Sequence, residues 1–193
     1  MKAGLNFSEE DIVEAMSELK GYIDLTPHDF KELYAKVYQQ ARRRILESQK
    51  AREIMNSPAV AITETASVSE LVELLDQKGI SGLPVLNSQG LLVGVVSEKD
   101  VLLALGERPS AGQMRLVSRF CDASPGVCGD IRLKQVREIM SSPAVGIQTE
   151  ATLAEVLNLF ESRAINRLPV IDSDGLVAGI ITRANLITAV SNL

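Results

Sequence analysis

The chain has a single histidine, two cysteines and no tryptophan, and each scarcity closes off a class of function. One histidine, His28, removes the histidine-paired nucleophiles of most hydrolases and the histidine-rich metal sites. It follows Thr26-Pro27 and reads as a solvated first-turn residue. Cys121 and Cys128 stand in one Gly/Pro/Ser-containing stretch, too far apart for a CxxC redox motif and with no second pair to complete a zinc site. They read as free thiols in a linker. No Gly-rich phosphate loop is present. No apolar run approaches the ~18–20 residues needed to cross a bilayer. The N-terminus lacks the apolar stretch and small-residue cleavage site of a secretory signal. The formal charge of −5 argues against a basic nucleic-acid-binding face. These absences predict a cytoplasmic protein that is not an enzyme, needs no cofactor, has no direct membrane span and binds no nucleic acid.

What is present is a sequence that repeats itself. Arg52-Glu53-Ile54-Met55-Asn56-Ser57-Pro58-Ala59-Val60 returns as Arg137-Glu138-Ile139-Met140-Ser141-Ser142-Pro143-Ala144-Val145, 85 positions later. The register then holds without a gap. Ile80-Ser81-Gly82-Leu83-Pro84-Val85 faces Ile165-Asn166-Arg167-Leu168-Pro169-Val170, and Gly94-Val95-Val96-Ser97-Glu98-Lys99-Asp100 faces Gly179-Ile180-Ile181-Thr182-Arg183-Ala184-Asn185. About 20 of roughly 54 aligned positions are identical, and many of the rest exchange one apolar side chain for another. Hydrophobic residues make up 46% of the chain and aromatics only 4%, so the cores are built from Val, Ile, Leu and Ala.

The pattern divides the chain into a helical N-terminal segment (1–50), a first repeat (51–106), a linker (107–134) and a second repeat (135–193). Ser8-Glu9-Glu10-Asp11 reads as a helix start, with the helix running to about Lys20. Thr26-Pro27-His28-Asp29 reads as a second start, with Thr as cap, Pro in the first helical position and Asp reaching back. From there Phe30, Leu33, Tyr34, Val37, Tyr38, Ala41 and Ile45 fall on one helical face. Arg42-Arg43-Arg44 reads as a solvated basic face near the helix end, with phosphate contact as its functional alternative. Each repeat predicts a strand (59–63; 144–148), a capping box (Ser67/Glu70; Thr152/Glu155), an amphipathic helix, a hairpin and a last helix opening at Ser97 or Thr182. The amphipathic helices turn Leu71, Leu74 and Leu75, or Val156, Leu159 and Phe160, inward. The unit is β-α-β-β-α, an α+β fold with helices on one sheet face. One unit of this size is marginal alone, so the copies are expected to pack with pseudo-twofold symmetry and form clefts where they meet.

These features resemble the CBS (cystathionine-beta-synthase) domain, and the pair resembles a Bateman module. The likeness rests on the Arg-Glu-Ile-Met-x-Ser-Pro lead-in, the Leu-Pro-Val before the hairpin, the Asp/Asn-x-x-Gly turn and the Ser/Thr-x-x-Asp/Asn at the last helix, in order and twice over. Residues 21–34 are similar to segments preceding such pairs in some bacterial proteins, including relatives of the HPP membrane family. The resemblance implies a non-catalytic regulatory module. It implies an adenosine-containing ligand (AMP, ADP, ATP or S-adenosylmethionine), association as a homodimer and an unidentified regulated protein. A dimerisation scaffold, or a regulatory subunit of an enzyme or transporter that binds no ligand, is the alternative.

The residues admit a compatible chemistry. Ser97 and Asp100 are three positions apart at a helix start and face one side of its first turn. A carboxylate there can accept from the vicinal hydroxyls of a ribose, and the same pattern is also an ordinary capping box. The second copy keeps the hydroxyl in Thr182 but replaces the carboxylate with Asn185. Losing a charged acceptor weakens binding by about ten- to a hundredfold, so the two sites are expected to be unequal, with the Asp100 site filling first. Adenine contacts are expected from Ile62, Thr63, Ser81, Leu83 and Pro84, or from Ile147, Gln148, Asn166, Leu168 and Pro169; among them the Ile and Leu positions read first as core, and Thr63, Ser81 and Asn166 as the polar contacts. Arg167 and Arg183 are the candidate phosphate contacts, and Glu98 beside the site disfavours long polyphosphates.

Overall fold

The structure is a computed structural model that describes residues 13–14, 26–106 and 131–191. These form two compact units divided between Ser48 and Gln49. Val13 and Glu14 are helical; the rest of the first expected helix, and both cysteines, lie outside the described residues.

In the first unit, helix α1 spans Pro27–Ser48. It starts where the sequence places it. The Asp29 carboxylate accepts from Thr26 N (3.2 Å) and Thr26 Oγ1 (2.6 Å), and Asp29 N donates back to Thr26 Oγ1. None of its residues is buried, and the apolar stripe leaves Leu33 49% and Val37 54% exposed. The Tyr34 and Tyr38 rings stack with centroids 6.2 Å apart, as a one-turn spacing allows. Arg42, Arg43 and Arg44 are all exposed. The helix continues to Ser48, so they precede its last turn rather than complement its end.

The second unit holds both repeats. Each begins with a short lead-in, helix α2 (Ala51–Ile54) in the first and a 3-10 turn (Val136–Glu138) in the second. The first repeat continues with β1 (Ile62–Thr63), α3 (Val68–Lys78), β2 (Gly82–Leu86), β3 (Leu92–Ser97) and α4 (Glu98–Ala104). The second gives β4 (Ile147–Gln148), α5 (Leu153–Ser162), β5 (Arg167–Ile171), β6 (Val177–Thr182) and α6 (Arg183–Ser191). Each sheet has three strands, ordered β1-β2-β3 and β4-β5-β6, with the first pair parallel and the second antiparallel. This is the expected α+β arrangement, in duplicate.

The helices form for the predicted reasons. Ser67 and Thr152 each accept from the backbone N–H three residues on, and Glu70 and Glu155 reach back to the cap N–H at 2.7 Å. Gly79 ends α3 in the left-handed region at φ 61°. Both hairpin turns close through one side chain: Asn87 Oδ1 accepts from Gln89 N and Leu91 N, and Asp172 Oδ1 from Asp174 N and Leu176 N. The cores are aliphatic. In the first, Val68, Leu71 and Leu75 of α3 and Val101 of α4 pack on Leu83, Val85 and Val96, each no more than 1% exposed. At ~1.5–3 kcal/mol per buried aliphatic side chain, these positions dominate the lobe's stability. Leu74 and Leu159, expected on the inner faces, are only half-buried; Val68 and Leu153, one helical turn from Leu71 and Val156, are fully buried in their place.

Two findings correct the expected layout. Strands β1 and β4 are shorter than the predicted 59–63 and 144–148, because the ladder pairs only Ile62 with Val85 and Thr63 with Leu86, and likewise in the copy. The residues before them turn away toward the other repeat. The lead-ins cross. Asn56 exchanges both backbone hydrogen bonds with Ile180 (2.9 and 3.0 Å), and Ser141 does the same with Val95 (2.9 and 3.1 Å). Ala51 N donates to Ala151 O, and Val136 N to Ala66 O. Ile131, from the linker, and Val136, from the second repeat's lead-in, sit in the first repeat's core. Each sheet is therefore completed by a strand-like piece of the other repeat, and neither copy is closed without its partner.

Candidate functional site

The crossing lead-ins produce two clefts. The smaller, about 220 Å³, is lined by Ser97 and Asp100 from the first repeat and by Pro143, Val145, Ile165 and Arg167 from the second. The larger, about 590 Å³, is lined by Thr182 and Arg183 from the second repeat and by Pro58, Val60, Ile80 and Ser81 from the first. Asn166 and Arg167 line both.

In the smaller cleft, Asp100 Oδ2 accepts from Ser97 N (2.8 Å) and Ser97 Oγ (2.6 Å). Its Oδ1 accepts no hydrogen bond among the described residues. The capping role and an open acceptor thus coexist on one half-buried carboxylate. In the second repeat, Asn185 Oδ1 accepts from Thr182 N (2.9 Å) and Thr182 Oγ1 (2.6 Å), so its cap has the same geometry. Its Nδ2 donates to Asn56 Oδ1 at 3.0 Å, and Asn185 does not line the larger cleft. The difference between Asp100 and Asn185 is one of charge and of commitment to a neighbour.

Arg167 supplies the positive charge between the clefts. Its guanidinium donates to Ser81 Oγ. Burial draws it below the ordinary arginine value, while Glu98 and Asp100 pull it back. Glu98 is pushed up by burial and pulled down by Arg167. Arg183 is exposed at the rim of the larger cleft.

Of the predicted site residues, Ser97, Asp100, Asn166 and Arg167 come together in one cleft, and Ser81, Thr182, Arg183 and Arg167 in the other. Ile62, Thr63 and Pro84 line neither, nor do Leu83, Ile147, Gln148, Leu168 and Pro169. Ile62 and Leu83 are core, Pro84 is buried in the middle of β2, and Thr63 is exposed on the short edge strand. The walls come instead from 58–60 and 143–145 and from Ile80 and Ile165. The duplicated Ser-Pro-Ala-Val marks the former in the sequence, but its path into the opposite repeat is tertiary.

A family model for the CBS domain matches the chain twice, over residues 51–107 and 136–192. The chain belongs to the CBS domain family. Among curated relatives, an uncharacterised protein of Methanocaldococcus jannaschii is 28% identical over 155 residues, covering 72% of this chain and 89% of that one. The chloroplastic CBS domain-containing protein CBSX1 of Arabidopsis thaliana is 30% identical over 136 residues, 66% of this chain, which spans only 57% of that protein. Among solved structures, the CBS domain of a CBS domain-containing membrane protein from Sphaerobacter thermophilus superposes with a TM-score of 0.63 at 26% identity, covering 79% of this chain and 97% of that one. Arabidopsis CBSX2, crystallised in complex with AMP, superposes with a TM-score of 0.56 at 28% identity, covering 75% and 98%. In this CBS pair, Ser97 and Asp100 stand where the sequence motif places them, at the mouth of the last helix of the first copy. Among the described residues no helix is long and apolar enough to cross a membrane.

Proposed function

We propose that this CBS pair is a regulatory module that senses an adenosine-containing ligand, with the ligand's ribose held against Asp100. The observation that carries the reading is the open Oδ1 of Asp100 beside a carboxylate oxygen already fixed by Ser97. A rigidly placed acceptor aimed into a cleft suits a vicinal diol, and charge-assisted hydrogen bonds of this kind are the strong ones. The AMP bound to CBSX2 supports the same ligand class here. At 220 Å³ the Asp100 cleft is smaller than the ~300–1,000 Å³ of most small-molecule sites. It takes the nucleoside end and leaves the 5′ substituent to extend toward Arg167. Glu98, which acts on that arginine from a distance, disfavours a long polyphosphate chain, which points to AMP or a ligand with a neutral tail.

The larger cleft has the volume for a whole nucleotide, but Asn185, the counterpart of Asp100, is bonded to Asn56 and does not line it, so it binds more weakly. Ligand binding closes or opens the clefts and transmits that change to a regulated protein, which requires unequal affinity for the two states. The functional unit is a cytoplasmic homodimer, and Ile187, 66% exposed on α6, is an apolar side chain that a second copy would cover.

Calorimetric titration with AMP, ATP and S-adenosylmethionine on the parent and Asp100→Ala tests this. One dominant site, lost in the variant, is expected. A variant that binds as tightly as the parent overturns the ribose assignment. A folded parent stabilised by none of the three in a thermal-shift assay points to a dimerisation scaffold instead.

A further inference from the structure

Positions 82 and 167 are equivalents in the two repeats, and in the folded chain they meet. Gly82 has no side chain, and a Cβ built there would stand 2.9 Å from both Cζ and Nε of Arg167 and 2.7 Å from Val96 O. Two arginines cannot occupy this place; the chain has one, on the second repeat only. That side chain lines both clefts, and its one hydrogen bond among the described residues goes to Ser81, a wall of the larger cleft alone. A guanidinium carries five N–H donors, so most of its capacity is uncommitted. Glu98 and Asp100 act on it from a distance. The ion pairs among the described residues are Arg43–Glu47 and Arg52–Glu150, and neither includes it. A half-buried cation without a contacting anion is costly, and a bound phosphate would offset that cost.

We propose that Arg167 is a single anion-reading side chain shared by the two clefts, so that a phosphorylated adenosine ligand in one cleft withdraws it from the other. The inference rests on the reading that these clefts bind adenosine compounds. The arginine fork grips a phosphate from one side at a time, and the first repeat offers glycine where a second fork would be needed. Ser81 holds the fork toward the larger cleft, and a phosphate in the Asp100 cleft must win it from that hydroxyl. Coupling of this kind is reciprocal: whichever cleft fills first with an anion weakens the other by the same factor. A ligand without phosphate leaves the arginine on Ser81 and does not couple the clefts.

The test is titration of AMP and of adenosine into the parent, Arg167→Gln, Arg167→Lys and Ser81→Ala. The parent is expected to bind AMP about ten- to a hundredfold more tightly than adenosine, as charged hydrogen bonds allow. In Arg167→Gln that ratio falls close to one while adenosine affinity holds; Arg167→Lys, which keeps the charge but not the fork, retains part of the ratio. Ser81→Ala tightens AMP in the Asp100 cleft about two- to tenfold, the worth of one released hydrogen bond. An AMP-to-adenosine ratio that survives Arg167→Gln overturns the inference, as does binding of two AMP molecules per chain with equal strength. If the parent binds neither compound, the adenosine reading fails, and the inference falls with it. Adenosine binding that requires Asp100 but shows no preference for AMP leaves that reading standing and overturns only the sharing of Arg167.

Discussion

Asn56 and Asn185 join their side-chain amides across the repeats, Nδ2 of Asn185 donating to Oδ1 of Asn56 at 3.0 Å, at the place where the other half of the molecule sets Asp100 beside Ser141. The bond ties up the amide that stands where the first repeat has Asp100, and Asn185 does not line the larger cleft. Asn185→Asp preserves the cap, because a carboxylate accepts from Thr182 N and Oγ1 as the amide oxygen does, and Asn56 can donate to it through its own Nδ2. The variant is expected to gain a second adenosine-binding event, about tenfold stronger than any second event in the parent. With AMP that event stays weaker than the first, because Arg167 serves both. Isothermal titration counts the sites, and a stoichiometry unchanged from the parent counts against the role given to the carboxylate.

The reciprocal change, Asp100→Asn, separates ligand binding from folding. Asn185 already shows that an asparagine holds this cap with bonds of 2.6 and 2.9 Å. The melting temperature of the variant should therefore stay near that of the parent, while affinity for AMP falls about ten- to a hundredfold through loss of the charged acceptor. A large drop in melting temperature would mean that the carboxylate is structural.

The duplicated pattern made the strands, the capping boxes, the hairpin turns and the pairing of the copies legible, because each depends on residues close in sequence. Ser67 with Glu70 and Thr152 with Glu155 are local chemistry, and so are Ser97 with Asp100. Ile62 and Pro84 line neither cleft; strand alternation tells which face a residue points to but not whether that face meets a cleft or a core. The crossing of the lead-ins was hidden for a related reason. Asn56 bonds to Ile180 and Ser141 to Val95 through backbone groups that every residue carries, so side-chain identity does not announce the exchange. The meeting of Gly82 and Arg167 could be read only once the pseudo-twofold axis had a position.

The crossing makes Gly94 and Gly179 necessary. A Cβ on Gly94 would come within 2.5 Å of Met140 Sδ and 3.1 Å of Ser141 O. The sulfur can move, but the carbonyl belongs to the exchanged pair that docks the second lead-in on β3. Gly94→Ala is expected to cost about 1–3 kcal/mol, the usual range for overpacking, and to weaken ligand binding in the Asp100 cleft beyond its effect on folding. Urea unfolding and titration of the same sample check both parts.

Ala164 occupies, with φ 50°, the helix-ending position that Gly79 fills in the first repeat at φ 61°. A Cβ in the left-handed region carries a conformational cost that glycine avoids. Ala164→Gly should therefore stabilise the protein by up to about 1 kcal/mol, and Gly79→Ala should destabilise it by a similar amount. No atom lies within 4 Å of the added Cβ at Gly79, so the second effect is purely one of backbone conformation. Equal midpoints of urea unfolding for the parent and both variants would contradict this account.

The capping carboxylates set the acid limit of stability. Glu70 and Glu155 are held below their ordinary value of 4.5 first by the backbone N–H groups of Ser67 and Thr152 and then by those residues' hydroxyls. A group with a depressed folded value binds fewer protons in the folded than in the unfolded chain. Its contribution is therefore complete above the unfolded value and drains away as the pH falls through the folded one. Glu98 has the opposite sign: burial raises its value, so its charge opposes folding above the ordinary glutamate range, and that penalty is relieved on acidification. Replacing Glu70 and Glu155 together by Gln should flatten the loss of stability below pH 4.5, at the expense of a less stable protein near neutrality. Glu98→Gln should leave that acid limb in place and raise stability at neutral pH. Unfolding midpoints in urea, followed from about pH 3 to about pH 7, distinguish the two. An acid limb that is equally steep in the Glu70/Glu155 double variant would show that other carboxylates carry it.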